Sequence, residues 1–189
     1  MRAVIVVAVI FAILHFGLKY WVTPKFGDDV KARFVERLKY IPSFKVPGSP
    51  DSEAALNEAN FATWLAKPDN QASRRGYAFP VLFPLDILFL VALGSLLGMV
   101  SLLLAGQVGP LRGWPVWVWW LFPVAYLAFD LLEDVLLIAL LTMPSLLNGG
   151  TFRALSAFTS GKIGTVIVAI GQVGLLALAW AVARLGVIG

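Results

Sequence analysis

The chain has 189 residues, of which 59% are hydrophobic and 14% charged, and its mean hydropathy is +0.83. A soluble domain carries about 25% charged residues on average, so this composition excludes an ordinary soluble domain and predicts an integral membrane protein. Zero cysteines exclude disulfides, thiolate metal sites and cysteine nucleophiles. The formal net charge of only +4, with acids and bases intermixed, argues against nucleic-acid binding.

Four apolar stretches follow one another along the chain. A bilayer span needs about 20 apolar residues, and the runs predict helices near 3–22, 85–106, 116–142 and 154–184. The first stretch begins like a signal peptide, but no small-x-small cleavage site follows it, so we interpret it as an uncleaved span. The predicted fold is therefore an all-α membrane protein, a single four-helix transmembrane domain of residues 1–189.

Residues 23–79, between the first two spans, form the one long polar segment, with nine Lys/Arg and seven Asp/Glu residues. Apolar residues recur at helical spacing in 28–41, which predicts a short amphipathic helix. Residues 52–66 predict a second helix with Ser52 as its cap. We therefore expect a short helical extramembrane cap that lies against lipid headgroups or folds on the helix ends.

The second and third predicted spans begin with residue types that are typical of helix starts and of membrane interfaces. Pro84 suits the first turn of a helix, and Asp86 is expected to face the unpaired amides at the positive end of that helix. The third span opens with tryptophans, which predict an aromatic belt at the headgroup level. They are Trp114, Trp117, Trp119 and Trp120.

The fourth predicted span carries small residues at spacings that allow close approach of helices inside a membrane. They are Ala157, Gly161, Gly164, Gly171 and Gly174. Such a face packs within the chain or against another subunit, and the sequence leaves both possibilities open.

Three carboxylates interrupt the third predicted span. Asp130, Glu133 and Asp134 stand at positions i, i+3 and i+4, so they share one helical face of about 100°. An ionisable group at the centre of a bilayer costs roughly 2.5–3.5 kcal/mol and therefore indicates a functional site by default. Three acids on one face are not all cheaply ionised together, so at least one is expected to hold a proton.

Depth along the helices predicts which other ionisable residues join these acids. At about 1.5 Å per residue, Lys162 reaches the depth of Glu133 and Asp134, which predicts a salt bridge to one of them and leaves Asp130 deeper and less compensated. Three further residues fall toward the same end of the bundle. The candidate polar cluster consists of Asp86, Asp130, Glu133, Asp134, Lys162, Arg153 and His15.

Two interpretations of this cluster stay open. In the first, the acids and bases compensate one another and hold the helices in register. In the second, the cluster is an active or transport site for a lipid-like or cationic substrate, with proton exchange at Asp130 or Glu133. No cofactor or metal site is predicted, because one histidine and no cysteine cannot form a His-rich di-iron or bis-His haem site. A carboxylate-only magnesium site would lack a phosphate-cradling glycine loop beside it.

Two short runs, with a basic residue early in the last span, carry a resemblance to a known group of proteins. The runs are Leu82-Phe-Pro-Leu-Asp-Ile-Leu-Phe and Phe129-Asp-Leu-Leu-Glu-Asp-Val-Leu-Leu. They resemble small bacterial four-helix membrane proteins of uncharacterised activity, in which an Asp-x-x-Glu pair sits in the third helix. The resemblance covers mainly residues 77–170. It implies a four-helix fold and the bacterial cytoplasmic (inner) membrane, but no activity.

The function predicted first is that of a small accessory or complex subunit. It would bind membrane lipids and a partner membrane protein, or a second copy of itself, through its small-residue and aromatic faces. The reason is that the chain lacks a recognisable nucleophile–base pair, cofactor motif or metal set. The alternative is a membrane-embedded enzyme or transporter that uses the intramembrane carboxylates.

Overall fold

The structure, a computed structural model, describes residues 2–27, Val30, Phe34 and 56–185. This part of the chain is helical and contains no strand. Its helices are α1 (Arg2–Phe16), α2 (Glu58–Ala66), α3 (Gln71–Gly76), α4 (Ile87–Ala105), α5 (Val116–Thr142) and α6 (Gly149–Arg184). A π-helical turn, Gly17–Val22, extends α1, and a kinked segment, Tyr77–Asp86, leads into α4. Single 3₁₀ turns follow at Thr23–Phe26, Pro68–Asn70, Gly109–Leu111 and Pro144–Leu146.

Three helical stretches of the described chain are long and apolar enough to cross a membrane. They are Arg2–Phe26, Pro68–Ala105 and Gly149–Arg184. The predicted third span is α5, whose 27 residues have the predicted bounds and include the three carboxylates. At 1.5 Å per residue α5 is about 40 Å long, more than the ~30 Å hydrocarbon core of a bilayer. The all-α class is confirmed for the described residues, and the four-span count stays a prediction.

The polar segment departs from its predicted helices. The predicted helix over 28–41 lies outside the described residues except for Val30 and Phe34, which are both fully buried. The predicted helix over 52–66 is too long at its start, because α2 begins only at Glu58. Its predicted cap, Ser52, lies outside the described residues.

Asparagine side chains define the start of α2. The Asn60 N–H donates to Asn57 Oδ1 at 2.8 Å, and the Asn57 N–H donates to Asn60 Oδ1 at 2.9 Å. This reciprocal capping box satisfies two amides that have no partner inside the helix. The helix ends at Ala66, where the sequence predicted its end.

The cap region packs onto one end of the helix bundle. Its buried residues Phe34, Leu56 and Phe61 belong to the same apolar core as Leu140 at the end of α5 and Leu155 near the start of α6. The burial of these apolar side chains supplies the main favourable contribution to docking of the cap. The cap therefore covers the end of the bundle at which α5 ends and α6 begins.

Helices α4, α5 and α6 all pack against one another, and α1 packs against α4. Glycines allow the close approach: a Cβ on Gly94 would lie 2.7 Å from Leu127, and one on Gly98 would lie 2.6 Å from Trp120. Inside a membrane, helices associate by such tight packing, because burial against lipid tails brings no hydrophobic gain. Helix α4 is thereby held close to one face of α5.

Only two of the four tryptophans that predict the aromatic belt face outward. Trp117 is 65% exposed and Trp114 is also exposed, but Trp119 is only 6% exposed. Trp120 fills the space over Gly98. The belt prediction is therefore wrong for these last two residues, since the helical turn that follows Trp117 points them into the bundle.

Replacing Gly161 by alanine is expected to destabilise the bundle, because the new Cβ would lie 2.7 Å from the Phe129 ring. Such over-packing costs about 1–3 kcal/mol. Gly164, in the same helix, has nothing within 4 Å of the corresponding position. Gly164→Ala should therefore be neutral, or stabilise by up to about 1 kcal/mol through its helix propensity. Reversible unfolding in mixed detergent gives both free energies, and equal effects would show that Phe129 does not pack on Gly161.

Candidate functional site

The three carboxylates of α5 all point into the bundle. Asp130 is 2% exposed, and Glu133 and Asp134 are fully buried. The i, i+3 and i+4 spacing predicts that these acids share one helical face. That face of α5 points toward the neighbouring helices. Burial of this kind removes water from the carboxylates, so other groups of the protein or bound protons have to replace it.

Lys162 on α6 reaches two of these acids. Its ammonium Nζ lies 2.5 Å from Glu133 Oε2 and also forms an ion pair with Asp130 Oδ1. The predicted salt bridge to Glu133 is confirmed. The prediction that Asp130 is less compensated is wrong, because Asp130 and Glu133 lie one helical turn apart on one face and a single ammonium contacts both. Lys162 is itself only 4% exposed.

Thr159 supports the same ion pair from α6. Its hydroxyl lies 2.7 Å from Glu133 Oε1 and 2.9 Å from the carbonyl oxygen of Leu155, and either oxygen accepts its hydrogen. Each oxygen of the Glu133 carboxylate therefore has a donor on α6. Thr159 was not among the residues that the sequence predicted for the cluster. The position of Thr159, three residues before Lys162 on the same face, was the available signal for the second contact.

Asp86 joins the cluster from a third helix. It occupies the N-cap position of α4 but makes no side-chain capping bond. Carboxylate oxygens of Asp86, Asp130 and Asp134 instead lie within 4.8 Å of one another. The expectation that Asp86 mainly serves the end of its own helix is therefore wrong, since the kinked segment before it contacts α5 and brings the side chain to the acids there. Asp86 is half-buried, unlike the acids of α5.

His15 and Arg153 lie apart from the acids. The His15 ring packs between aromatic rings, with centroids 5.9 Å from Phe11 and 6.0 Å from Phe89, so it joins α1 to α4. Arg153 is exposed on α6. The structure thus brings together Asp86, Asp130, Glu133, Asp134 and Lys162, and it does not place the other two predicted residues with them. We call these five residues and Thr159 the carboxylate–lysine cluster.

Coulomb repulsion limits how many of these carboxylates are ionised together. Two unit charges 4 Å apart interact by about 4 kcal/mol at an effective dielectric constant of 20. Three carboxylate groups with oxygens within 4.8 Å of one another therefore repel when all are ionised, and the ammonium of Lys162 offsets part of this repulsion at Asp130. A proton held among Asp86, Asp130 and Asp134, or a cation that contacts all three, relieves this repulsion. The arrangement is thus chemically suited to hold and release positive charge.

A separate groove lies at the cap end of the molecule, between α2 and the turn after α5. Its volume is about 320 Å³. It is lined by Glu58, Ala62, Leu65, Ala66, Pro144, Ser145 and Leu147. None of these residues belongs to the carboxylate–lysine cluster.

Comparison with known proteins adds no functional assignment. No protein-family model, curated protein or solved structure matches the chain. Inferences about function therefore depend on the geometry of the cluster and on the composition of the helices around it.

Replacing Lys162 by methionine is expected to lower the free energy of unfolding by about 3–5 kcal/mol, because it strands buried carboxylates. Adding Glu133→Gln to that variant removes one stranded charge and should recover much of the loss. Arg153→Met, which removes an exposed cation from the same helix, should change stability by no more than about 0.5 kcal/mol. A double variant as unstable as the sum of the single variants would contradict the pairing.

Proposed function

We propose that this chain is a multi-pass integral membrane protein with four spans, located in the bacterial cytoplasmic membrane. The spans would be α1 with its π-helical extension, the stretch that contains α4, and the helices α5 and α6. The support is the distribution of side chains: large apolar residues such as Ile13, Val124 and Leu175 face outward, while Glu133 and Lys162 face inward. The outward apolar side chains suit contact with lipid tails, and the inward charged side chains suit the interior of the helix bundle.

We further propose that the protein is a small transporter that exchanges protons with a cationic or lipid-like substrate at the carboxylate–lysine cluster. The observation that carries this proposal is the approach of Asp86, Asp130 and Asp134 to within 4.8 Å, beside an ammonium that already contacts Asp130. A crowded set of acids binds and loses a proton within the accessible pH range more readily than an isolated ion pair does.

A purely structural role for the cluster accounts for fewer of its residues. Lys162 with Glu133 and Thr159 is sufficient to fix α6 against α5, because each Glu133 oxygen has a donor there. Asp86 and Asp134 take no part in these contacts of Glu133 with α6. Ionisable residues inside a membrane are expensive and therefore usually functional, and these two acids are the best candidates for the exchanging groups.

Asp86 has the position expected of an entry residue. It is half-buried, whereas Asp134 is fully buried. It also lies at the end of the kinked segment Tyr77–Asp86, in which Phe79 and Phe83 have non-helical backbone angles. Interrupted helices are a frequent element of transporter sites, because they bring polar backbone and side-chain groups to the middle of the membrane.

A second candidate function, the accessory subunit predicted from the sequence, is favoured by the outer face of α6. At the glycines 164, 171 and 174, no atom lies within 4 Å of the position that a Cβ would occupy. The inward glycines at 94, 98 and 161 are each covered by a large side chain instead. An open glycine face inside a membrane suits close approach of another helix. This candidate does not require the cluster to exchange protons.

Asp134→Asn is expected to slow proton flux at least about tenfold, because it removes an exchanging carboxylate and leaves the Lys162 ion pairs intact. Flux would be measured in proteoliposomes with a trapped pH-sensitive dye and an imposed gradient of a lipophilic organic cation as the exchanged substrate. The matched control is Asp69→Asn, which neutralises an exposed acid between α2 and α3. Wild-type flux equal to that of Asp134→Asn and of protein-free vesicles would overturn the transporter proposal and favour the accessory one.

A further inference from the structure

A proline interrupts the backbone hydrogen bonding of α5 before the acids. Pro123 lies inside this helix and is buried. Proline has no backbone N–H, so Pro123 cannot donate to the carbonyl oxygen of Trp119, four residues earlier. An unmatched carbonyl is costly inside an apolar bundle, so another donor has to replace the missing amide.

Gln172 on α6 supplies the replacement donor. Its Nε2 donates to the carbonyl oxygen of Trp119 at 3.0 Å. Neighbouring helices satisfy backbone groups that a proline frees inside a membrane in the same way. The bond from Gln172 joins two helices, whereas the bond that Pro123 removes would have joined two turns of α5. The hydrogen bonding of α5 at this point therefore depends on the position of α6.

Separate apolar cores hold the two ends of α5. Leu140, beyond the acids, belongs to the core that α5 shares with the cap. Trp119, before Pro123, belongs to a second core with Ala105 of α4 and Leu176 of α6. Sharp bends in helices occur mostly at proline, and Pro123 lies between the two cores. A bend at Pro123 can therefore move the Trp119 end of α5 without disturbing the core at the cap end.

Exchange across a membrane requires access to the acids from each side in turn. Asp86 is half-buried at the end of the kinked segment and provides an approach on the side of the cap. Asp130 and Asp134 are buried, so access from the opposite side requires a rearrangement of the helices. Pro123 precedes Asp130 by about two helical turns, or about 10 Å along α5, on that opposite side. A bend there is suited to provide the second approach.

We propose that Pro123 is a hinge in α5 and that Gln172 is a positioning residue that holds this hinge closed. When Gln172 bonds to Trp119, α5 is a continuous helix and its acids are enclosed, as in this structure. When this bond breaks, the Trp119 end of α5 bends away from α6 and opens a path toward Asp130. The inference extends the proposed exchange function, because it supplies the second approach to the acids. The hinge itself does not depend on proton exchange.

The test measures distances between spin labels on pairs of introduced cysteines in the full-length protein, which has no cysteine of its own. The hinge pair, Trp117→Cys with Leu175→Cys, labels exposed positions on the Trp119 end of α5 and on α6 near Gln172. The control pair, Met143→Cys with Arg153→Cys, labels exposed positions at the cap end. In liposomes, the hinge pair should show a main distance and a minor, longer one, and the control pair should show a single distance.

Two variants separate the hinge from a merely structural bond. Gln172→Leu removes the donor and should raise the longer-distance fraction of the hinge pair about fivefold, the change expected from the loss of one hydrogen bond. Pro123→Ala restores an N–H inside the helix, so the longer distance should disappear. Adding Gln172→Leu to Pro123→Ala should then leave the distances unchanged, because the restored amide takes over the Trp119 carbonyl.

Three outcomes would count against the proposal or limit it. A single distance for the hinge pair in both wild type and Gln172→Leu would overturn the hinge, as would a longer distance that persists in Pro123→Ala. Equal effects of Gln172→Leu with and without Pro123→Ala would show that Gln172 does not act through the proline. The expected distances together with an absence of proton flux would overturn the exchange function and leave the hinge in place.

Discussion

The ion pairs of Lys162 with Asp130 and Glu133 are the interaction on which the arrangement of the bundle depends. An ammonium and two carboxylates buried in an apolar bundle are tolerated only when they meet, because an unmatched buried charge costs several kcal/mol. This requirement fixes α6 at one height along α5. Phe129 precedes Asp130 on α5, and it contacts Gly161, which precedes Lys162 on α6. Steric packing and charge pairing therefore enforce the same register.

That register also determines which acids gather at the centre. With α6 fixed on one part of the inward face of α5, Asp134 meets the third neighbour, the segment Tyr77–Asp86 that leads into α4. Asp86 thereby comes within reach of two acids of α5. Lys162 forms ion pairs with Asp130 and Glu133, and Asp130 also belongs to the group formed by Asp86, Asp130 and Asp134. A change in the charge of Asp130 would therefore alter both the ion pairing between α5 and α6 and the repulsion among the three acids.

Much of this arrangement could be predicted from the sequence, because its main determinants are local. Apolar length gave the bounds of α5, and the i, i+3 and i+4 spacing gave the common face of its acids. Depth along two helices gave the pairing of Lys162 with Glu133. The ion pair of Lys162 with Asp130 and the contact of Thr159 with Glu133 depend on the rotation of α6 about its axis. The packing of Phe129 on Gly161 sets this rotation, and sequence periodicity does not reveal such packing. The position of Asp86 depends on the extended backbone angles at Phe79 and Phe83. Each of these residues precedes a proline, which favours such angles, so the signal was present in the sequence but was not used.

The proposed proton exchange requires that one of the crowded acids hold an exchangeable proton inside the bundle. Infrared spectroscopy of the reconstituted protein tests it most directly, through the carbonyl stretch of a protonated carboxyl group and its shift in heavy water. Wild-type protein and Asp69→Asn should both show this band at neutral pH, and Asp134→Asn should lose most of it, because two remaining acids beside Lys162 repel less. A wild-type spectrum without the band at neutral pH would show that all the acids are ionised and would contradict the account.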